Sequence, residues 1–360
     1  MRTLYLHIGL PKTGTSYLQR MLALNAQVLL DAGIGVGPYI DPIDGDSRAM
    51  RGVIRGQGLG AAMAALAASP GDDLVVSSEH LSVAMRDRSF AEALRDAARR
   101  HFASKIVVFL RRQDRLKESL FSQEVKTWYT GDIQNEDSFD YDLDRQVADL
   151  EAVFGRENVI VLIYGSPGAR DILAAFLSAI GAQVPRAALQ ELGKQNVSLH
   201  RRKVLMLSRV PKPDPTVQDL SFLMTRVVTM TTAVADDGIR YLMSPRERHD
   251  LVARHIDGNR ALVARHGIRD AGDFVELPEP DAAWAPPAPI TWAEFLAVSA
   301  QAFGRCLALR NRYGLKMAGK VARMLPEFRR RLFDPSATWP RTLPPPLDLL
   351  PVADMELSRA

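Results

Sequence analysis

The sequence predicts an α/β fold of three layers, in which a central parallel sheet lies between helices and a mainly helical part follows. The first observation is a short, continuous apolar run at 105–110, typical of a strand buried on both faces of a parallel sheet, with further predicted strands at 73–78 and 159–164. The second is that helical periodicity occupies the segments between these strands. Strands that alternate with helices indicate a parallel sheet covered on both faces.

The elements of this half follow in order along the chain. An apolar strand at 3–8 comes first, and the helix after it, 15–32, has apolar residues at helical spacing and ends before Gly33, which suits a left-handed helix terminus. Residues 38–58 are rich in Gly, Pro, Asp and Arg and predict an irregular segment. The remaining predicted elements are helices at 61–68, 90–102, 113–128, 143–154 and 169–180, with a polar loop at 129–141.

Beyond residue 195 the pattern becomes helical. Helical periodicity covers 198–209, 216–234, 245–266 and 291–312. A Pro-rich connector precedes the last of these, and the prolines between 340 and 351 indicate a tail without a core of its own. We therefore predict an α/β domain over 1–270, helical from 195 onward, and a carboxyl-terminal helical extension with a Pro-rich tail over 271–360.

Composition places the chain among ordinary globular proteins. It has 360 residues, 47% hydrophobic and 24% charged, which is enough material for a large core. Its single cysteine, Cys306, excludes an internal disulfide and a Cys-rich metal cluster. Without a long apolar run or a secretory pattern, a cytoplasmic protein is expected. The net charge of +4 suits an anionic ligand but is small for a dedicated nucleic-acid binder.

The first candidate functional residues follow directly after the first strand. Gly9, Gly14 and Ser16 match the glycines and the final hydroxyl of the phosphate-binding pattern G-x-x-x-x-G-K-[ST]. Thr15 takes the lysine position of that pattern, and a lysine, Lys12, occurs inside the loop instead. A strand, such a loop and a helix direct backbone N–H groups and a helix dipole toward an anion. The sequence therefore predicts a phosphate-like ligand, and the alternative is a tight turn with its lysine in solvent.

A second cationic segment follows the strand that ends at Leu110. Arg111, Arg112 and Arg115 stand at the start of the next helix, where basic residues are unfavourable to the helix dipole, so an anionic ligand that compensates all three is expected. Ser119 lies eight residues after Arg111, about two helical turns onward. A cation at a strand's carboxyl end and a hydroxyl two turns later can hold one phosphate from two sides. The alternative is a solvated basic helix start.

These segments resemble a known enzyme family. Residues 6–16, Leu-His-Ile-Gly-Leu-Pro-Lys-Thr-Gly-Thr-Ser, are similar to the 5′-phosphosulfate loop of sulfotransferases that use 3′-phosphoadenosine 5′-phosphosulfate (PAPS). Residues 109–119 resemble that family's 3′-phosphate motif, with an arginine and a serine at the expected spacing. Weaker likenesses to bacterial members occur at 154–164, 171–181, 195–199 and 259–262. The resemblance implies a three-layer fold with a phosphate-binding loop, and it covers roughly residues 3–266.

The resemblance also implies residue roles. Lys12 would stabilise the charge that develops on the bridging oxygen during in-line transfer of the sulfuryl group. The residues that would bind PAPS are Pro11, Lys12, Thr13, Gly14, Thr15 and Ser16 at the 5′-phosphate and Arg111 and Ser119 at the 3′-phosphate. The sulfuryl group carries less charge than a γ-phosphoryl group, so no metal is expected to be required.

The acceptor hydroxyl needs a general base, and two candidates follow the strand at 73–78. Glu79 is the first, because the resemblance to carbohydrate sulfotransferases implies a glutamate base in some members. His80 is the second, because small-molecule members use a histidine after the corresponding strand. The alternative is a plain helix start in which Ser78 or Ser82 caps. The predicted acceptor is a hydroxyl of a carbohydrate or of a lipid-linked glycan.

Other features keep two interpretations. His7 is expected to be a packed histidine, and Trp128 and Tyr129 either pack or line an acceptor site. The basic segment 314–331 is a solvated face or a peripheral membrane contact. Two competing functions are an ATP-dependent kinase, which would want a lysine at Thr15 and a strand-terminal carboxylate for Mg²⁺, and a non-catalytic anion-binding protein.

Overall fold

The chain forms two compact units that alternate along the sequence. The computed structural model describes residues 1–37, 58–127, 131–135, 139–192, 199–210, 218–308 and 312–334. The first unit comprises Met1–Leu116, Asp140–Asn196 and Arg248–Glu279, and the second comprises Lys117–Phe139, Val197–Glu247 and Pro280–Ala360. Compactness does not test the functional division predicted at residue 270, which stays a prediction.

The first unit is built on a parallel sheet, which confirms the predicted α/β architecture. Its strands are β1 (Thr3–Ile8), β2 (Ile34–Val36), β3 (Asp73–Ser78), β4 (Ala103–Leu110) and β5 (Val159–Ile163). They lie in the order β2-β3-β1-β4-β5, and each neighbouring pair is parallel. The sequence did not predict β2, because three residues with Gly35 in the middle form no apolar run. A side chain at Gly35 would lie 2.1 Å from the carbonyl oxygen of Pro70, so this strand needs its glycine.

Helices follow most strands, close to the predicted positions. They are α1 (Thr15–Leu24), α2 (Ala26–Asp31), α3 (Leu59–Ala67), α4 (Glu79–Ala84), α5 (Arg88–Ala98), α6 (Gln113–Thr127), α7 (Leu143–Phe154) and α8 (Ile172–Ala179). Single 3₁₀ turns occur at Ile133–Asn135, Arg156–Asn158, Pro167–Ala169, Arg186–Ala188 and Gly272–Val275. The helix predicted over 15–32 is divided at Asn25, whose side-chain amide donates to the carbonyl oxygens of Met21 (2.9 Å) and Gln190 (3.1 Å).

The helices cover both faces of the sheet, as predicted for three layers. Helices α1 and α8 contact each other and enclose a core with strand residues such as Tyr5 and Phe109. Helix α3 contacts α5, α5 contacts α7, and α7 contacts β4 and β5. Because side chains alternate along a strand, Ile8 and Val108 face the α7 side.

The strand order places a crevice at the carboxyl ends of β1 and β4. The chain leaves β1 for β2 on one side of the sheet and leaves β4 for β5 on the other side. The two strands are hydrogen-bonded neighbours, with Tyr5 opposite Lys105 and His7 opposite Val107. Ligands of open α/β sheets bind where neighbouring strands continue in opposite directions. The loop after β1 and the residues after β4 both lie at this point.

The remaining helices make the carboxyl-terminal part mainly helical, as predicted. They are α9 (Arg201–Arg209), α10 (Gln218–Met230), α11 (Pro245–Ala253), α12 (Ile256–Arg265), α13 (Trp292–Ala308) and α14 (Arg312–Phe333). The helix predicted over 245–266 is two helices. Within the second unit α9 contacts α10 and α14, and α13 contacts α10 and α14. Across the described ranges, none of the helices combines the length and apolarity needed to cross a membrane.

A buried ion pair anchors the helices of the second unit. Arg202 donates to both carboxylate oxygens of Glu294 at 2.7 Å, and the backbone N–H of Thr291 donates to the same carboxylate at 2.7 Å. Burial alone would raise the pKa of Glu294, but these hydrogen bonds lower it to about 2. The neighbouring Arg201 pairs with Asp237 at 2.8 Å. These arginines are therefore structural.

Candidate functional site

The loop 9–14 connects β1 to α1 with two residues in the left-handed region. The N–H of Gly9 donates to the carbonyl oxygen of Ser78 at 3.3 Å, so the loop begins attached to β3. Lys12 has φ 63° and Gly14 has φ 82°. Gly14 is the N-cap of α1, has no side chain that could cap the helix, and is followed by a first turn without an acidic residue. An uncapped amino terminus of a ten-residue helix is a suitable place for an anion.

A close contact requires the glycine at position 9, and the left-handed backbone requires the glycine at position 14. A Cβ atom on Gly9 would lie 2.2 Å from Oγ1 of Thr15, and one on Gly14 would lie 2.4 Å from Cδ1 of Ile172. The first glycine lets the loop fold back over the helix start, and the second lets that start approach α8. The G-x-x-x-x-G spacing thus has a steric cause.

The hydroxyl groups of the loop have different environments. Thr13 is buried, and its Oγ1 donates to the carbonyl oxygen of Leu10 at 2.7 Å, which fixes the loop on itself. Thr15 is 4% exposed, and its Oγ1 has no hydrogen-bond partner among the described residues. Ser16 is exposed. An unsatisfied buried hydroxyl costs about 1–3 kcal/mol, so Thr15 provides a donor that a ligand oxygen would satisfy.

Three of the predicted site residues come together at this edge. Arg111, directly after β4, donates from Nη1 to the carbonyl oxygen of Lys12 at 3.0 Å, and its guanidinium lies 5.3 Å from the ring centre of Tyr164. Burial lowers the pKa of the Lys12 amine, the charge of Glu79 opposes this shift, and the charge of Arg111 adds to it. A lysine, an arginine and a carboxylate that follow β1, β4 and β3 therefore act on one another electrostatically.

The other two arginines of the 111–115 segment are compensated inside the unit. Arg112 is 5% exposed and donates to Asp114 at 2.8 Å, and Arg248 donates to the same carboxylate at 2.8 Å. Burial alone would raise the pKa of Asp114, but the two arginines lower it. Arg112 and Arg115 also contact Asp273. The expectation that a ligand compensates these cations therefore does not hold for Arg112 and Arg115.

An amide pair holds the start of α6. The side chains of Gln113 and Asn259 donate to each other at 2.8 and 2.9 Å, and Asn259 also donates to the carbonyl oxygen of Phe274 at 3.0 Å. Both are at most 1% exposed. Asn259, in the segment 259–262 that resembles bacterial sulfotransferases, thus has a structural role. The sequence could not predict it, because Asn259 and its partner Gln113 are separated by 146 positions.

The two candidate bases open helix α4. Glu79 is its first residue and is exposed, and His80 is half-buried. Ser78 precedes the helix in extended conformation without a side-chain cap bond, and Ser82 Oγ donates to the carbonyl oxygen of Glu79 at 2.8 Å. Neither serine side chain caps the helix, but the plain helix start with Glu79 in its first turn is present, so a structural role and a catalytic role for this pair both stay open. Ser119 is half-buried on α6, within the second unit, and its role stays a prediction.

His7 is a packed histidine, as predicted. It is 1% exposed, lies edge-on to Phe109 and Phe176, and its Nδ1 is 2.7 Å from Ser77 Oγ. Burial lowers its pKa to about 3, so the ring is neutral at physiological pH. Trp128, Tyr129 and residues 195–198, which also received predictions, lie outside the described residues.

A cavity of about 210 Å³ lies on the α7 side of the sheet, below the loop. Its apolar lining consists of Ile8, Leu10, Met85, Val108, Val147 and Leu150. The polar part of the wall consists of Ser82, Gln146 and the charged side chains of Arg86, Asp140, Arg145 and Asp149. The cavity shares Leu10 with the loop and Ser82 with the helix that begins at Glu79.

In the described part of the chain, no group of three or more His, Cys, Asp and Glu side chains is placed to hold a metal ion. No protein-family model matches the sequence. No curated protein matches it either. Among solved structures, a sulfotransferase from Alicyclobacillus acidocaldarius is similar over 74% of this chain and 96% of its own, with 15% sequence identity and a TM-score of 0.38. A likeness this loose shows neither a shared site nor a shared activity.

Proposed function

We propose that the protein is a sulfotransferase that moves the sulfuryl group of PAPS to an acceptor hydroxyl. The observation that carries the proposal is the convergence of Lys12, Arg111 and Glu79 at the carboxyl ends of β1, β4 and β3. A cationic pair suits an anionic donor, and a nearby carboxylate suits proton removal from an acceptor. The loop resemblance in the sequence points to the same chemistry.

The loop fits a 5′-phosphate. The amino terminus of α1 has no side-chain cap, and the buried Thr15 hydroxyl has no hydrogen-bond partner in the described structure. Both are donors that a phosphate oxygen would satisfy. Arg111 is held by the Lys12 carbonyl and the Tyr164 ring, so little side-chain entropy is lost when it meets a second phosphate. This pre-organisation supports its assignment to the 3′-phosphate.

In the proposed transfer, the donor and the residues of the chain have separate roles. PAPS supplies the sulfuryl group and a phosphate leaving group. Glu79 accepts the proton of the acceptor hydroxyl, with His80 as the alternative base. The Lys12 ammonium stabilises negative charge on the bridging oxygen, and Glu79 supports its protonated form by opposing the effect of burial on its pKa.

The acceptor in this proposal is a hydroxyl-bearing glycan or lipid-linked glycan. The cavity below Leu10 is smaller than a typical whole-ligand pocket, about 300–1,000 Å³, so it offers space for one apolar group of an acceptor. A kinase assignment fits less well, since Thr15 stands where the nucleotide-triphosphatase pattern has its lysine.

The test is calorimetric titration with 3′,5′-adenosine bisphosphate and with ADP. We expect the bisphosphate to bind more tightly, and Arg111→Ala to weaken it about 10- to 150-fold, the value of a charge-assisted hydrogen bond. Arg156→Ala is the matched control, because Arg156 is exposed before β5, at the amino-terminal edge of the same sheet. Equal affinity for both nucleotides would remove the basis of the proposal.

A further inference from the structure

The outward side of α14 carries an apolar strip that the second unit leaves exposed. The inward side packs Met317, Val321, Met324 and Phe328 into the unit. The exposed residues that recur at helical spacing are Leu315, Gly319, Ala322, Pro326 and Phe333. Leu315 is 66% exposed and Phe333 is 39% exposed. This helix therefore has two apolar sides, and only one of them belongs to the core.

Helix α13 extends the strip at one end. Trp292 is 48% exposed and Leu296, one turn later, is 49% exposed. The Trp292 ring lies 5.4 Å from the Phe333 ring and stacks on Phe295 at 5.3 Å. Large apolar side chains from the start of α13 and the end of α14 thus form one exposed group, and we call it, together with the strip, the α13–α14 surface.

Cations border the strip on both sides. Helix α14 has one acidic residue, Glu327, and its basic residues are Arg312, Lys316, Lys320, Arg323, Arg329, Arg330 and Arg331. Glu327 pairs with Arg330 and Arg331 at 2.7 Å. By helical spacing, Lys316 and Arg323 lie on one side of the strip and Arg329 on the other, and all three are exposed.

We propose that the α13–α14 surface lies on an anionic lipid bilayer. An exposed apolar strip flanked by lysine and arginine is the composition of helices that lie in a membrane interface rather than cross it. Tryptophan prefers the headgroup level, phenylalanine and leucine supply the inserted apolar face, and each basic side chain near an anionic surface strengthens the attraction. The inference does not depend on the proposed sulfotransferase activity.

Charge argues against a second copy of the chain as the occupant. In a two-fold dimer the same surface meets itself, so two strongly basic α14 helices would face each other. Repulsion between the like charges of the two helices would disfavour dimer formation. A purely solvated basic face would not require five large apolar side chains, Trp292, Leu296, Leu315, Phe333 and Leu307, between 39% and 66% exposed on the same two helices.

The test is sedimentation of the full chain with vesicles. Vesicles of phosphatidylcholine alone are compared with vesicles containing about 30% phosphatidylglycerol, at about 50 mM and about 500 mM salt. We expect binding to the anionic vesicles only, and loss of most of it at high salt. The variant Lys316→Gln/Arg323→Gln should lower the partition coefficient about 25-fold, since each cation contributes about five-fold, equivalent to about 1 kcal/mol.

Two further variants separate the contributions. Leu315→Ser/Phe333→Ser should weaken binding without changing its salt dependence, because it removes inserted apolar area. Arg88→Gln/Arg156→Gln, at exposed arginines of the first unit, should bind like the natural chain. Light scattering of the same samples monitors association. The proposal is overturned if the chain does not bind vesicles or binds neutral and anionic vesicles equally. It is also overturned if Arg88→Gln/Arg156→Gln lowers binding as much as Lys316→Gln/Arg323→Gln does, or if the chain is a dimer that Leu315→Ser/Phe333→Ser dissociates.

Discussion

Replacing Thr15 by valine should stabilise the free protein and lower its affinity for the ligand. The two side chains have nearly the same shape, so the change removes the hydroxyl and little else. Thr15 is 4% exposed and its Oγ1 has no hydrogen-bond partner among the described residues. A buried hydroxyl without a partner costs about 1–3 kcal/mol, so Thr15→Val should raise the free energy of unfolding by about 1 kcal/mol.

Thr13→Val is the matched control, because it makes the same chemical change two positions away. Thr13 is 1% exposed, but its Oγ1 donates to the carbonyl oxygen of Leu10 at 2.7 Å. Losing that bond leaves the carbonyl group without its donor and should lower the free energy of unfolding by about 1 kcal/mol. The two substitutions therefore differ in sign.

Urea unfolding of the natural chain and both variants measures the first effect, with the midpoint compared at unchanged m-value. Repeating it with 3′,5′-adenosine bisphosphate measures the second, since a ligand that binds the folded state adds stability that grows with the logarithm of its affinity. Thr15→Val should lose about ten-fold or more in affinity, as for a hydrogen bond to a charged group. If Thr15→Val destabilises the free protein as much as Thr13→Val does, the hydroxyl has a partner within the fold and the reasoning fails.

The remaining predictions concern stability. Glu294→Gln should lower the free energy of unfolding by about 3–5 kcal/mol in urea titrations, because it leaves the buried Arg202 without its counter-charge. Glu327→Gln, which has the same lowered pKa of about 2 but lies in ion pairs partly open to solvent, should cost at most about 1 kcal/mol, and equal costs would contradict the role of burial. His7 has a pKa of about 3 in the folded protein and 6.5 as its ordinary value, so below pH 6.5 the unfolded chain binds the proton first. Stability should therefore be full above pH 6.5 and fall by about 1.4 kcal/mol per pH unit between 6.5 and 3. In His7→Gln this contribution to the slope should disappear, and an unchanged slope would show that His7 is protonated in the folded state.

Local sequence pattern determined most of the secondary structure. The strand at 73–78 and the helix at 143–154 appear at their predicted bounds, because a short apolar centre between polar ends indicates a strand and a strong helical period indicates a helix. The strand Ile34–Val36 could not be predicted, since its pairing with β3 supplies the stability that three residues lack. The division of the helix at Asn25 likewise depends on a contact with Gln190, far along the chain.

By itself, the sequence determined the α/β class and the glycine-containing loop between β1 and α1, because glycine spacing and apolar periodicity are local properties. Only the tertiary structure decided which charged residues remain at the site. Arg111 and Arg112 are neighbours in sequence, yet Arg111 donates to the loop and Arg112 to Asp114. Asp273 and Arg248, which complete that second arrangement, are more than 130 positions away. Electrostatic compensation acts through space, so it separates two adjacent arginines that no sequence pattern could distinguish.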